Sequence, residues 1–231
     1  MSNAIEKISG VLFDMDGVLI DSNTVIERAW IEAGALYGIK VTDSDIVNHI
    51  HGQPGPHTIK ALFDHLPIDD QKKVQAYIIH AENTADYDSI PGVAQLILAL
   101  SAAKIRVGIV TSGWREKIDR IMDMLQIKDC ISVIVERDDV SRGKPFPDPY
   151  ILGAKRLMLP PNKTLVFEDS ISGVTSAVEA GAYCVGIGET ILIKHGAKTA
   201  IANFLEVKVN KQDNGDYSIS LDRDHEVFIE N

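Results

Sequence analysis

Cysteine and long apolar runs are scarce in this sequence. Two of its 231 residues are cysteine, Cys130 and Cys184, and neither belongs to a CxxC pair. Two isolated cysteines among apolar neighbours do not make a disulfide framework and are typical of small buried side chains. No apolar run approaches the roughly 20 residues that a membrane span needs, and the first ten residues lack the basic and apolar regions of a signal peptide. We therefore expect a cytoplasmic protein that does not enter a membrane.

Positive charge is also in short supply. The chain has 23 lysines and arginines against 33 aspartates and glutamates, which gives a net charge of −10 at pH 7. Such a surface repels a nucleic acid, and no basic stripe is visible to offset it. An anionic metabolite would be repelled as well, unless its site held a metal cation or a few well-placed basic residues.

The 45% hydrophobic content is that of a globular protein with a core. The length allows one domain with an insertion or two small domains.

Short apolar runs that alternate with helical patterns indicate the fold class. The runs are apolar on both alternating faces, as expected for strands that are covered on both sides. Strands that alternate with helices favour a parallel sheet between helices, so we expect an α/β core with a Rossmann-like parallel sheet. The predicted strands are 8–13, 104–110, 131–135, 164–167 and 182–187. The predicted helices are 92–103, 114–125, 147–158 and 171–180.

The stretch from about 20 to 88 interrupts this alternation. It shows helical patterns and no convincing strand, so we predict an all-helical cap domain of residues 20–88, inserted after the first strand. The core domain is then discontinuous and consists of residues 1–19 and 89–231. The predicted cap helices are about 23–37, 43–49, 55–65 and 69–84.

The C-terminal part of the chain has a different pattern. Residues 205–210 and 217–221 alternate between apolar and polar side chains, and Asp213-Asn214-Gly215-Asp216 between them is suited to a turn. The sequence therefore predicts a β-hairpin at about 205–222, at the edge of a sheet, with a structural role.

Reactive or anion-binding residues follow four of the predicted strands. Asp14 and Asp16 follow the first strand, residues 111–113 (Thr-Ser-Gly) follow the second, Lys144 lies in the connection after the third, and Glu168-Asp169 ends the fourth. In open α/β sheets, ligands bind beyond the carboxyl ends of the strands. We therefore expect these side chains to belong to one site.

The carboxylates in this set predict a metal site. Asp14 and Asp16 are two residues apart, so in an extended chain both side chains can face the same pocket. Carboxylates so close together repel each other unless a cation lies nearby. With Asp169 they would form a set of oxygen ligands, which suits Mg²⁺. Taken alone, two aspartates at this spacing are also common in a solvated turn.

The remaining residues predict an anion-binding site. Thr111, Ser112 and Gly113 precede a predicted helix, so their hydroxyls and backbone N–H groups can meet phosphate oxygens at the helix N-terminus. Lys144, between Gly143 and Pro145, would add a positive charge that offsets the carboxylates. Each of these motifs alone is an ordinary helix cap or turn, and only their combination with the acids favours a phosphate site.

Taken in order, these motifs resemble those of a known superfamily. DMDGVLIDS, TSG, GKPFPDPY and EDSISG match the four motifs of the haloacid dehalogenase superfamily, in its branch with a helical cap. The resemblance covers residues 8 to about 188, cap included. It implies an enzyme that transfers a phosphoryl group to an aspartate and then to water.

The resemblance also implies a role for each core residue. Asp14 would be the nucleophile that forms an aspartyl phosphate, and Asp16 the general acid that protonates the leaving alcohol and then the base that activates water. Thr111 and Lys144 would bind the transferring phosphoryl group. Mg²⁺ would be bound by Asp14, the backbone carbonyl of Asp16 and Asp169, with Glu168 beside it or in the outer shell. Dehalogenases of the superfamily lack the second aspartate of the first motif, so dehalogenation is not expected.

The predicted cap contains residues that would contact the substrate. HGQPGPHTI (51–59) is similar to a region of phosphatases that act on glycerol phosphate, 2-deoxyglucose 6-phosphate and related sugar phosphates. The resemblance makes His51, Gly52 and Gln53 substrate contacts, and the substrate a small sugar or polyol phosphate. A zinc cluster is an alternative for the predicted cap histidines, but neither Cys nor an HExxH motif accompanies them, which favours surface or packed residues. These histidines are His49, His51, His57 and His65. Oligomeric state is left open too, with a monomer or a dimer compatible with the sequence.

A phosphomutase is the alternative function. Mutases similar to β-phosphoglucomutase share all four core motifs, but they carry a histidine in the first cap helix that favours the sugar phosphate over water as the acceptor. The corresponding position here is Ile26. Its apolar side chain favours hydrolysis.

Overall fold

The structure is a computed structural model that describes residues 7–230 of the chain. Over this range the chain forms twelve β-strands: β1 (Lys7–Ile8), β2 (Gly10–Phe13), β3 (Ile20–Asp21), β4 (Asp88–Ser89), β5 (Arg106–Val110), β6 (Ile131–Val135), β7 (Thr164–Glu168), β8 (Tyr183–Ile187), β9 (Thr199–Ile201), β10 (Lys208–Lys211), β11 (Tyr217–Ser220) and β12 (Glu226–Ile229). The same range contains nine α-helices: α1 (Asn23–Leu36), α2 (Asp43–Asp45), α3 (Gly55–Leu62), α4 (Ile68–Thr84), α5 (Val93–Ala102), α6 (Arg115–Leu125), α7 (Asp148–Arg156), α8 (Ile171–Glu179) and α9 (Ile191–Lys194).

Six parallel strands form the central sheet, in the order β6-β5-β2-β7-β8-β9. Successive side chains of β2 enter different apolar clusters on the two faces: Val11 and Phe13 pack with residues of α5 and α6, and Leu12 with residues of α7 and α8. Burial on both faces explains why the strands are apolar at consecutive positions. The predicted α/β class with a Rossmann-like parallel sheet is confirmed. The sixth strand, β9, was not predicted, because three residues are too short for a recognisable pattern.

The predicted first strand, 8–13, is in fact two strands in two sheets. Gly10–Phe13 is β2 of the central sheet, whereas Lys7–Ile8 is β1 and pairs in parallel with β12. Ile8 and the residues of β2 are all buried, and the single half-buried Ser9 between them is too short an interruption to mark a boundary between two strands in the sequence.

The predicted C-terminal hairpin is confirmed as β10 and β11. They pair antiparallel, with Val209 opposite Ile219, and belong to a separate four-stranded sheet in the order β1-β12-β11-β10. The strand β12, which was not predicted, joins the hairpin to β1. Ile219 and Val227 pack into the same apolar cluster as α5, so this sheet extends the core on that side.

A helical segment, defined as residues 23–84, lies between β3 and β4. It contains α1 to α4, with a π-helical turn at Ile46–Ile50 directly after α2. Trp30, Phe63 and Ile78 lie in its own apolar cluster, separate from the two clusters on the central sheet. The chain enters and leaves the segment through β3 and β4, which pair antiparallel next to the predicted cap boundaries. No helix within residues 7–230 is both long and apolar enough to cross a membrane.

Candidate active site

The candidate site lies where three neighbouring strands of the central sheet end. Asp14 follows β2, Thr111 follows β5 and Glu168 is the last residue of β7; β5 and β7 flank β2. The carboxyl ends of parallel strands meet at one edge of the sheet, which brings these residues together although they are far apart in the sequence. All three side chains are buried.

Lys144 joins two of these carboxylates. Its Nζ donates to Asp14 Oδ1 at 2.6 Å, to Glu168 Oε1 at 2.5 Å and to the carbonyl oxygen of Val110 at 3.2 Å. Burial alone would lower the pKa of Lys144, but Asp14 and Glu168 outweigh burial and raise it, so the side chain is an ammonium ion. Burial raises the pKa of Asp14 well above its ordinary value, and Lys144 offsets part of that effect. The Asp14 carboxyl group therefore needs a positive charge nearby to stay ionised.

Both carboxylate oxygens of Glu168 are engaged in hydrogen bonds. Oε1 accepts from Lys144 and from the Tyr150 hydroxyl at 2.6 Å, while Oε2 accepts from the backbone N–H groups of Asp169 and Ser170 and from the Ser170 hydroxyl. The side chain has no exposed surface. These hydrogen bonds fix the position of Glu168, which in turn holds Lys144 in place.

The carboxylates of Asp14, Glu168 and Asp169 form an acidic cluster, in which one oxygen of each lies within 4.8 Å of the others. Burial, and then the charge of Glu168, raises the pKa of Asp169 to about 7. Asn23 donates to Asp169 Oδ2 at 2.8 Å. Two buried carboxylates and the half-buried one of Asp169, which repel each other and offer oxygen ligands, fit a hard divalent cation such as Mg²⁺. Over residues 7–230 no other group of three such ligands lies close enough to hold an ion, and no histidine belongs to the acidic cluster.

Gly17 allows the chain to pass close to this cluster. Its φ of +73° lies in the left-handed region, and a Cβ atom there would be 1.9 Å from Asp169 Oδ2. A side chain at this position would therefore be strained and would also displace Asp169. This explains why glycine follows the Asp14-Met15-Asp16 stretch.

Asp16 lines the same pocket as Asp14 but lies outside the acidic cluster. Its Oδ1 accepts from the Ser22 hydroxyl at 2.6 Å and from Lys117 Nζ at 2.6 Å. Lys117 also donates to Glu82 Oε2 at 2.6 Å.

Lys117 and Glu82 were not predicted from the sequence. The signal for Lys117 was its position in α6, one turn before Ile121 on the apolar face, where a lysine is unusual unless it is paired.

The predicted phosphate-binding residues lie beside Asp14. Thr111 is buried, and its Oγ1 accepts from the N–H of Gly113 at 3.0 Å, which shapes the turn before α6. The hydroxyl of Ser112 donates to the carbonyl oxygen of Gly52 at 3.0 Å. Thr111, Ser112 and Gly113 all line the pocket, and Ser112 also contacts the helical segment.

The loop at residues 51–53 brings the helical segment over the strand ends. Gly52 has a φ of +69°, and a Cβ atom there would lie 2.2 Å from Ser170 Oγ, so only glycine fits this close approach. Gln53 donates through Nε2 to the Ser172 hydroxyl at 3.0 Å. His51 Nε2 lies 2.8 Å from Glu27 Oε1, within the helical segment. All three predicted contact residues line the pocket.

The pocket between the segment and the sheet has a polar floor and a largely apolar wall. The floor consists of Asp14, Asp16 and the turn before α6, and the wall contains Ile26, Trp30 and Ile78. Arg137, which the sequence reasoning also missed, lines the pocket and stacks its guanidinium on Trp114. The pocket therefore offers an anion site on one side and a surface for a carbon skeleton on the other.

Comparison with known proteins decides the family. The model of the haloacid dehalogenase-like hydrolases matches residues 11–187. The chain belongs to this family. It is 30% identical over 227 residues to hexitol phosphatase A of Escherichia coli (strain K12), covering 92% of this chain and 99% of that one. It is 31% identical over 186 residues to validoxylamine A 7'-phosphate phosphatase of Streptomyces hygroscopicus subsp. limoneus, covering 78% of this chain and 85% of that one.

A solved structure of the same fold belongs to a mutase. The β-phosphoglucomutase of Clostridium difficile matches with a TM-score of 0.74 over 85% of this chain and 91% of that one, at 19% identity. At that identity the likeness concerns the fold alone. The predicted membership of the haloacid dehalogenase superfamily is thus confirmed by sequence, and the fold by structure.

Proposed function

We propose that this haloacid dehalogenase-like hydrolase is a magnesium-dependent phosphatase that hydrolyses a small sugar or polyol phosphate through a phosphoryl group attached to Asp14. The observation that carries the proposal is the setting of Asp14. Its carboxylate is buried where three strands end, is hydrogen-bonded to Lys144, and belongs to the acidic cluster. The phosphatases among the relatives support the same reaction.

Asp14 is the nucleophile in this proposal. Lys144 holds its Oδ1, so the other carboxylate oxygen is the atom that attacks phosphorus. A bond forms between that oxygen and phosphorus while the bond from phosphorus to the alcohol oxygen breaks. Water then attacks the phosphorus of the aspartyl phosphate, and inorganic phosphate leaves with Asp14 restored.

Asp16 handles the protons of both steps. The departing alcohol oxygen takes a proton from the Asp16 carboxyl group, and the resulting carboxylate later accepts a proton from the attacking water. Ser22 and Lys117 donate to the same oxygen, Oδ1, which fixes the orientation of the side chain toward the pocket. The remaining oxygen, Oδ2, is then the one that carries the proton.

The phosphoryl group itself binds beside Lys144. The hydroxyl of Thr111, the backbone N–H group of Ser112 and the N-terminus of α6 provide donors for its oxygens. Lys144 offsets the charge that develops during transfer, and Glu168 keeps the ammonium group next to Asp14.

Mg²⁺ fits the acidic cluster and would be held by Asp14, Asp169 and the backbone carbonyl of Asp16. When bound, it supplies positive charge that keeps Asp14 ionised and lets an anionic phosphate approach a protein of net charge −10. Glu168 belongs to the outer shell in this arrangement, because both its oxygens already accept hydrogen bonds.

Magnesium should stabilise the folded protein. At a concentration about 100 times its dissociation constant, a ligand that binds only the native state adds about 2.7 kcal/mol, which for this chain length corresponds to about 5–10 °C in Tm. Differential scanning fluorimetry with and without MgCl₂ would measure it. Asp169→Asn should lose most of the shift, whereas Asp129→Asn, at an exposed position beyond the C-terminal end of α6, should keep it. Equal shifts in the two variants would remove Asp169 from the metal site.

The substrate side of the pocket suits a polyhydroxylated carbon skeleton. His51, Gly52 and Gln53 place polar groups at the mouth of the anion site, and Trp30 and Ile78 offer an apolar surface. Two relatives act, by their names, on a hexitol phosphate and on a phosphorylated validoxylamine. We therefore assign a small phosphorylated metabolite as the partner and the cytoplasm as the site of action.

A panel of phosphate esters tests the proposed function. We expect the protein to release inorganic phosphate from glycerol phosphate, mannitol phosphate or glucose 6-phosphate in the presence of MgCl₂, and to lose that activity when EDTA is added. Release would be measured by a colorimetric phosphate assay. Isomerised sugar phosphate without free phosphate, detected by NMR, would instead establish the mutase, and Ile26 in the pocket wall argues against it.

A further inference from the structure

Lys117 is a completely buried lysine that the proposed reaction does not use directly. Its Nζ lies 2.6 Å from Asp16 Oδ1 and 2.6 Å from Glu82 Oε2. The three residues come from different parts of the chain: Asp16 follows β2, Lys117 is in α6, and Glu82 is in α4 of the helical segment. We propose that Lys117 is a positioning residue that orients the carboxyl group of Asp16 for proton transfer, and that Glu82 holds Lys117 in that position from the helical segment. This inference rests on the proposed function.

The contacts of Asp16 explain how Lys117 would act. Lys117 and Ser22 both donate to Oδ1, from different directions, so the carboxyl group cannot turn without breaking one of two 2.6 Å hydrogen bonds. Proton transfer depends on the position of the acid relative to the leaving oxygen. A carboxyl group held at one oxygen presents the other to the substrate in a defined place.

The surroundings of Lys117 restrict the lysine itself. Its ammonium group lies 5.4 Å from the centre of the Tyr87 ring and 5.7 Å from that of Trp114. A buried ammonium ion needs charged partners, and Glu82 is the partner that is not part of the reaction. Without Glu82, Lys117 would keep its hydrogen bond to Asp16 Oδ1 but would lose the second contact that holds its ammonium group in place.

Glu82 makes this arrangement depend on the helical segment. Arg120 of α6 donates to the backbone carbonyl oxygens of Glu82 and Ala85 at 3.0 and 2.8 Å, so the end of α4 is attached to α6 at the same place. Glu82 therefore joins the helical segment to Lys117, which is one of the two donors to Asp16 Oδ1. Orientation of the proton donor is thereby linked to the position of α4.

A purely structural ion pair is the competing explanation, and the leaving group distinguishes the two. An alkoxide needs a proton to leave, whereas p-nitrophenolate leaves readily without one. Loss of orientation at Asp16 should therefore slow transfer from an alkyl phosphate far more than from p-nitrophenyl phosphate. Damage to the fold, to the metal site or to the nucleophile should slow both reactions equally.

The test compares kcat/KM for these two kinds of ester, since this ratio reports the steps up to transfer to Asp14. The alkyl ester is whichever of glycerol phosphate, mannitol phosphate and glucose 6-phosphate the wild type hydrolyses best. In Lys117→Met we expect kcat/KM to fall by about 10²-fold for the alkyl ester and by less than about tenfold for p-nitrophenyl phosphate. Lys128→Met changes an exposed lysine just after the end of α6 and should leave kcat/KM for both esters unchanged.

Two further variants keep the inference falsifiable if Lys117→Met does not fold. Lys117→Met/Glu82→Gln removes both charges of the buried pair and should show the same selective loss. Glu82→Gln keeps the contact between Lys117 and Asp16 and should shift the ratio of the two kcat/KM values in the same direction by a smaller factor. An equal fall for both esters in the folded variants would overturn the role of Lys117. A wild type that releases phosphate from no ester would instead overturn the proposed function itself.

Discussion

Asp14→Asn is expected to lower phosphate release by about 10⁴-fold or more, with little change in stability. An amide oxygen is a much weaker nucleophile than a carboxylate oxygen, and it cannot form the aspartyl phosphate. The shape of the side chain is conserved, and its oxygen can still accept from Lys144, as Asp14 does at 2.6 Å. Initial rates with the best alkyl ester and MgCl₂ would measure the loss.

Two controls belong to this experiment. Asp129→Asn makes the same chemical change at an exposed position and should have wild-type activity. Rapid quenching of the wild type in acid, followed by mass spectrometry of the intact protein, should detect a phosphorylated species that Asp14→Asn lacks. Hydrolysis that survives in Asp14→Asn at more than a tenth of the wild-type rate would exclude Asp14 as the nucleophile.

Lys144→Met is expected to cost both stability and activity. Lys144 is buried between Asp14 and Glu168, at 2.6 and 2.5 Å, so its removal leaves two buried carboxylates without their cation. Breaking a buried ion pair on one side costs about 3–5 kcal/mol. Activity should fall as well, because the developing charge on the phosphoryl group loses its counterion. Urea unfolding of the metal-free protein would measure the change in the free energy of unfolding.

The double variant Lys144→Met/Glu168→Gln separates charge from packing. If the uncompensated carboxylate causes the loss of stability, then neutralising Glu168 should recover part of it, whereas activity should stay low. Lys163→Met removes a half-buried surface lysine that pairs with Glu230 and should change stability by less than about 1 kcal/mol. A Lys144→Met protein as stable as the wild type would show that Asp14 and Glu168 do not need this cation.

The residues at the strand ends could be predicted because each follows or ends a local apolar run that is recognisable in the sequence. A strand buried on both faces is apolar at consecutive positions, and Asp14, Thr111 and Glu168 each come directly at or after such a run. Position in a parallel sheet then places them at one edge, whatever the length of chain between them. The helical segment was predictable in the same way, since its helices bury apolar faces at helical spacing.

The residues that sequence reasoning missed depend on partners from distant parts of the chain. Lys117 lies on the apolar face of α6, but the pattern alone does not show which charges it meets. It is buried there because Asp16 and Glu82, from two other elements, accept hydrogen bonds from its ammonium group. The outer-shell role proposed for Glu168 likewise depends on Tyr150 and Ser170, which neither spacing nor composition connects to it.

By itself, the sequence determined the parallel α/β core, the C-terminal hairpin, the superfamily and the set of acids and donors beyond the strands, because apolar patterning and short motifs are local properties. Tertiary structure alone decided which partners these groups have. It divided residues 7–13 between two sheets, paired Lys7–Ile8 with Phe228–Ile229 at the other end of the chain, and buried Lys117 between Asp16 and Glu82. The physical reason is that hydrogen bonds and ion pairs between distant elements form only when the packed core brings those elements together.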